Sequence, residues 1–237
     1  MIRKVWKPRI AAAMCTALLV LSTSGAPAAQ SPAKKTSPAK STAPKTTPAK
    51  SSAPRSISPA DLSARKSLGT KSAPITMQVF SDFQCPACRE LYLNVVRQVI
   101  DNYVSAGKVY LIHRDFPLPA HQHSREAARY ANAAAMVNRM EKVVAVLFDK
   151  QPAWSVDGNV DGTVAAALSP AEMKQVRALA GGNTLDAGID SDVALGNQFR
   201  VTQTPTTIIT YKGQDYPVVG VVSYSMMKTF IEQLLHQ

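Results

Sequence analysis

One stretch restricts the possible folds more than any other. Residues Ile75 to Phe80 alternate in a way that suits a strand, with Ile75, Met77 and Val79 on one face. From Arg89 to Ile100 the spacing becomes helical, placing Leu91, Val95, Val96, Val99 and Ile100 on one side, and Gly107 is a stop. Val109 to Ile112 reads as a second strand and continues into His113-Arg114-Asp115-Phe116-Pro117. A strand, a helix and a strand within about 40 residues form a crossover, so the two strands should run parallel.

The remaining elements extend this unit in both directions. Ser58-Pro59-Ala60-Asp61 has an N-cap followed by proline at the first helical position, and predicts a short helix that Gly69 ends. Ser124 to Phe148 is alanine-rich and helical, and Ser169-Pro170-Ala171-Glu172 is a capping box opening a helix towards Ala180. Thr184 to Phe199 also reads as helix. Thr206 to Tyr211 and Tyr216 to Val222 form a hairpin around Lys212-Gly213, and Ser223 to Leu235 is a closing helix. The class is α/β. The order is that of a thioredoxin fold, with a helical insertion at about 118–200 between its βαβ and ββα halves.

The first 58 residues have a different character. Arg3, Lys4, Lys7 and Arg9 precede an apolar run from Ile10 to Leu21, and Ala26-Pro27-Ala28 gives a small-residue cleavage step. This is the pattern of a signal peptide over residues 1–28, so the mature domain is expected to be periplasmic or otherwise extracytoplasmic. An uncleaved segment would leave a membrane tether instead. Residues 29–58 repeat motifs such as Ser37-Pro38-Ala39-Lys40 and Thr47-Pro48-Ala49-Lys50. Proline this dense, with so little to bury, predicts an extended linker ahead of a domain at 59–237. The chain carries a net charge of +11, yet of its 27 Lys and Arg four lie in the signal and nine in residues 30–73. The 14 that remain face 15 acidic residues, a net of −1, so the folded part lacks the basic face that nucleic-acid binding needs.

Of the three cysteines, Cys15 lies in the signal, which leaves Cys85-Pro86-Ala87-Cys88. A zinc site would need two more ligands, and the spacing of His121-Gln122-His123 does not fit the common frameworks, so no metal is expected. Both histidines read as surface or helix-start residues. A dithiol of this spacing cycles well between thiols and disulfide, carries the electrons itself and calls for no cofactor. At the junction from strand to helix, Cys85 falls on the helix N-terminus, where free N–H groups favour a thiolate. Cys85 is therefore the expected nucleophile and Cys88, one turn in, the resolving thiol. Asp82, Phe83, Pro86 and Ala87 flank the pair. Thr204-Pro205-Thr206 stands directly before an inner strand, where a cis proline would turn the chain tightly.

Val79 to Cys88, Arg114-Asp115-Phe116-Pro117-Leu118 and Thr204-Pro205-Thr206 together resemble the DsbA-like thioredoxin-domain proteins of bacteria. The resemblance implies an exported thiol–disulfide oxidoreductase, with Pro205 cis and facing the dithiol and the backbone of Thr204 pairing with substrate. It implies exported cysteine-containing proteins as substrates and a quinone-linked membrane oxidase of the DsbB or vitamin K epoxide reductase type as partner. Two positions depart from the family. Val79 stands where many relatives have a buried Glu, and Ala87 stands where strong oxidants have a histidine. The expected activity is that of a monomeric dithiol oxidase. The alternatives are a reductase or isomerase of the same fold, towards which Thr204 points, and a client-binding module without turnover.

Overall fold

The computed structural model describes residues 57–237. The expected signal peptide and all but the end of the expected linker lie outside the described residues. Ser58, assigned to that linker, accepts the main-chain N–H of Asp61 and so caps helix α1 (Pro59–Arg65). The helix stops at Lys66 rather than at Gly69. A two-residue strand β1 (Ser67–Leu68) intervenes, and Gly69 follows it with a φ of 87° that favours glycine.

Strand β2 (Ile75–Ser81) leads into helix α2 (Pro86–Leu91). The helix runs on through a π turn at Tyr92–Val96, the short α3 (Arg97–Val99) and a second π turn at Ile100–Val104. The wider turns show in the bond from the N–H of Arg97 to the carbonyl of Tyr92, five residues back. Strand β3 (Val109–Asp115) then lies parallel to β2, with Ile75 beside Val109 and Ser81 beside Asp115.

The insertion begins with α4 (Ser124–Met136) and α5 (Met140–Asp149). The single helix expected over Ser124 to Phe148 is broken because Asn138 adopts a φ of 58°. Two further helices escape the sequence reading, α6 (Gln151–Asp157) and α7 (Val160–Ala165). Left-handed Gly158 closes the first, and the side chain of Asn159 caps the second. Helix α8 (Pro170–Ala180) opens on the expected capping box, and α9 (Asp186–Gln198) completes the insertion. Strands β4 (Thr206–Tyr211) and β5 (Gln214–Val219) form the hairpin, and Ser223 caps α10 (Tyr224–Leu235). Strand β5 begins and ends earlier than the expected Tyr216 to Val222. Lys212 and Gly213 both take positive φ, which makes a two-residue turn and pairs Tyr211 with Gln214.

The sheet order is β1-β3-β2-β4-β5, with only the β2–β3 pair parallel. This is the thioredoxin arrangement, with the helical block between the two halves. Ile75, Met77 and Val79 face the main core with Leu91, Val95, Val99, Ile209 and Ile231. Alternation turns Phe80 and Ile208 to the other face, where they pack with Phe116 and Val201 against Val193, Leu195 and Phe199.

A buried ion cluster closes the edge beside β1. Lys66, only 1% exposed, bonds Asp115 at 2.6 Å and also pairs with Asp192. Arg114 bonds Asp192 at 2.9 Å, so two cations face two carboxylates. Burial works against the Lys66 ammonium, but the two carboxylates outweigh it and hold its pKa above the ordinary value.

Candidate active site

Because β2 and β3 are parallel and end together, the segments that follow them leave the same edge of the sheet. The loop 82–85 and the loop 116–123 therefore meet there. The turn before β4 joins them, since β4 runs antiparallel to β2 and starts where β2 ends, with Thr206 beside Phe80. Cys85 is the N-cap of α2 with extended backbone, and Pro86 follows at the first helical position. The Thr204–Pro205 peptide is cis. The Sγ of Cys85 lies 3.6 Å from the carbonyl of Thr204, so the dithiol and the proline turn face each other.

Both cysteines are thiols here, and both are buried, Cys88 more deeply. The hydrogen bond from Cys88 is the main reason that the Cys85 pKa falls from 9.0 to about 5. Burial opposes this fall, while the N–H groups of Cys88 and Ala87 and the Thr204 side chain add to it. Those N–H groups are the unpaired donors of the first helical turn. Cys88 moves the other way, because burial penalises its thiolate and its proton is engaged by Cys85. One sulfur is thus poised as an anion and the other as a thiol.

Neighbouring helices and loops hold this pair in place. Phe83 is buried and stacks near Phe148, with ring centroids 5.1 Å apart. Gln151 at the start of α6 donates to the carbonyls of Phe83 at 2.7 Å and Cys85 at 3.0 Å. Gln84 donates to the carbonyl of Ser155 at 2.9 Å and accepts the N–H of His123 at 2.8 Å. The main-chain N–H of Asp82 donates to the Sγ of Cys88 at 3.4 Å. The Asp82 carboxylate accepts the N–H of Gln84 and of Leu118, both at 2.7 Å, and pairs with Nδ1 of His121 at 2.8 Å.

A model of the family described as thioredoxin matches residues 63–233. The chain belongs to the thioredoxin family. Among curated proteins, the probable disulfide bond formation protein D of Bacillus cereus is 40% identical over 55 residues, 23% of this chain and 26% of that protein. The same-named protein of Bacillus anthracis matches equally, over 25% of its length. The chain therefore aligns with about a quarter of these relatives.

Among solved structures, oxidised BdbD of Bacillus subtilis is 20% identical with a TM-score of 0.60, over 73% of this chain and 93% of that one. The α-DsbA1 of Wolbachia pipientis is 20% identical with a TM-score of 0.59, over 71% and 89%. DsbA2 of Pseudomonas aeruginosa is 22% identical with a TM-score of 0.58, over 72% and 93%. The fold of this thioredoxin-family domain is thus the DsbA-like one.

The structure brings together the residues singled out from the sequence, namely Asp82, Phe83, Cys85, Pro86, Ala87, Cys88, Thr204 and Pro205. His121 needs correction, because it is bonded to a buried carboxylate rather than lying loose on the surface. His123 does directly precede α4. Val79 lies beside His113 on β3, whose Nε2 is 3.2 Å from Glu141. Burial works to raise the Glu141 carboxyl, but bonds from His113 and Tyr92 hold it below its ordinary value. Sequence reasoning missed Gln84, Gln151 and the His121 contact. Parallel strands gave the one available signal, since they carry the loops after β2 and β3 to the same edge.

Beside the proline turn, the N–H of Gly220 donates to the carbonyl of Pro205 at 2.8 Å. This ties the β5–α10 connection to the site. Val219, Val221 and Met226 are exposed there, and Val218, Val222, Met227 and Phe230 line the adjoining groove with Met226.

Proposed function

We propose that this protein is an extracytoplasmic thiol–disulfide oxidoreductase that acts as a dithiol oxidase on cysteines of exported proteins. The observation that carries this reading is the buried dithiol at the start of α2, with the Sγ of Cys85 3.6 Å from the Thr204 carbonyl; this setting pulls Cys85 down to about 5 and pushes Cys88 up. A thiolate that stable makes Cys85 a good leaving group. It also stabilises the reduced form, which makes the disulfide an oxidant. Ala87 supplies no charge to this effect, which rests first on the hydrogen bond from Cys88 and then on the helix N–H groups and Thr204.

The reaction starts from a Cys85–Cys88 disulfide. A substrate thiolate attacks the Sγ of Cys85, a mixed disulfide forms, and the electron pair of the broken bond leaves on Cys88, which takes up a proton. A second substrate thiolate then attacks the first substrate sulfur. Cys85 departs as its thiolate, leaving a substrate disulfide and two electrons on the dithiol. An extended substrate segment lies along Thr204 and Pro205, with apolar side chains against Val219, Val221 and Met226. A quinone-linked membrane oxidase of the DsbB or vitamin K epoxide reductase type takes the electrons onward. The protein works as a monomer, released by cleavage of the signal peptide and carrying an extended linker ahead of the domain.

The deciding measurement is the equilibrium reduction potential of the dithiol in glutathione buffers. A value of about −120 mV would mark a strong oxidant and support the oxidase reading, whereas one of about −270 mV would replace the oxidase by a reductase. Cys85→Ser should abolish oxidation of a reduced model substrate, and retained turnover would overturn the reading altogether.

A further inference from the structure

Among the buried polar groups near the dithiol, the Asp82 carboxylate has an unusual set of partners. Its side chain is fully buried, and three donors converge on it. Two of them are main-chain N–H groups, from Gln84 and Leu118, which are neutral. The third is Nδ1 of His121, whose side chain is 25% exposed. His121 is thus the partner that can carry a full positive charge, and it connects the buried carboxylate to solvent. Asp82 itself touches the redox pair, through its main-chain N–H on the Sγ of Cys88. The ionisable neighbours on the adjoining elements are Cys85 and Cys88 on α2 and His123 ahead of α4, whose N–H is held by Gln84.

We infer that Asp82 and His121 form a charge pair that adjusts the poise of the dithiol, with His121 acting as a positioning residue through Asp82. The disulfide form of the site carries no charge, whereas the reduced form carries the Cys85 thiolate. A carboxylate beside the pair raises the energy of the reduced form alone, and a cation at His121 cancels that effect. The pair joins the loop that follows β2 to the loop that follows β3. It stands at the loop edge rather than inside the strand. The inference rests on the oxidoreductase reading above.

The test compares three variants of the whole protein by the pH midpoint of Cys85 alkylation and by equilibrium with glutathione. His121→Asn keeps a hydrogen-bond donor but no charge, and should raise the midpoint by about half to one unit, a three- to tenfold loss in thiolate-to-thiol ratio near the midpoint. His121→Lys keeps a cation and should stay at or below the wild-type midpoint. Asp82→Asn removes the anion and should lower it. Shifts in opposite directions from the two halves of the pair mark an electrostatic role, because a loosened loop would move all three variants the same way. Shifts of one sign, or none, would overturn the inference. If Asp82→Asn fails to fold, the two His121 variants alone decide. If the wild-type Cys85 alkylates with an ordinary midpoint near 9, the oxidoreductase reading itself fails, and that result is separate from any difference between variants.

Discussion

Thr204 serves Cys85 with two different groups. Its main-chain oxygen accepts from the Cys85 thiol, and its buried Oγ1 lies without a hydrogen-bond partner among the described residues. That hydroxyl is free to turn its proton towards the sulfur once the thiolate forms, which agrees with its part in lowering the Cys85 pKa. Thr204→Val keeps the shape and removes the donor. Thiolate absorbance near 240 nm should then titrate about one unit higher, a tenfold change in ratio. In the oxidised protein, which carries no thiolate, stability should change by less than about 1 kcal/mol, since no existing bond is broken. An unchanged titration would assign the depression to the helix N–H groups and Cys88 alone. At this scale the sequence was informative where chemistry is local: the dithiol spacing and the proline before β4 could be read directly. Gln151 and His121 could not, because each acts across a long gap in the chain through a loop whose direction only the fold determines.

Among the elements, α9 approaches the sheet as closely as it does because Gly196 faces the aromatic cluster. A Cβ there would stand 2.6 Å from Cε2 of Phe116 and 3.1 Å from Cδ1 of Phe80. Those rings already meet edge to face, with centroids 6.3 Å apart. Gly196→Ala should therefore be destabilising by about 1–3 kcal/mol through overpacking, partly offset by about 1 kcal/mol of helix propensity. Urea midpoints measure the net loss. Gly182→Ala is the control, since its added carbon meets only the Thr184 hydroxyl at 3.7 Å. Equal midpoints for the two would remove the packing argument. Elements that begin on strong local chemistry were legible, as Ser58, Ser169 and Ser223 show by capping the helices expected after them. The π turns were not legible, because a widened turn has no composition of its own. Strand β1 was hidden by its length of two residues. Helices α6 and α7 are short, and only Pro152, Gly158 and Asn159 mark their ends.

For the molecule as a whole, the two cysteines make stability depend on pH in the reduced state. In the unfolded chain Cys85 keeps its proton up to about its ordinary 9.0, while the fold releases it at about 5. Between these values the unfolded state binds more protons, so stability rises with pH. The gain is fully present near pH 9 and is lost as pH falls through about 5. Its size from pH 5 to 8 should be about 2–4 kcal/mol. Cys88 contributes with the opposite sign only above about pH 9, where the unfolded thiol ionises and the buried one does not. Urea midpoints of the reduced protein at pH 5, 6.5 and 8 should climb, and Cys85→Ser should remove most of the slope. Parallel curves for the two proteins would mean that the thiolate is not favoured by the fold.

Lys66 also settles where this domain can be cut. The family match begins at residue 63, inside α1, after the Ser58 cap and the buried Leu62. A fragment trimmed there keeps Lys66 but frays the helix that delivers it. One trimmed to the first strand leaves Asp192 with Arg114 alone as its cation and Asp115 buried with the Asn132 amide but without its ammonium partner. The sheet also loses a main-chain partner, because the carbonyl of Lys66 receives the N–H of His113 at 3.0 Å. Fusion partners, affinity tags and domain grafts should therefore be joined ahead of Ser58, on the solvent side of a lysine that acts as the domain's keystone.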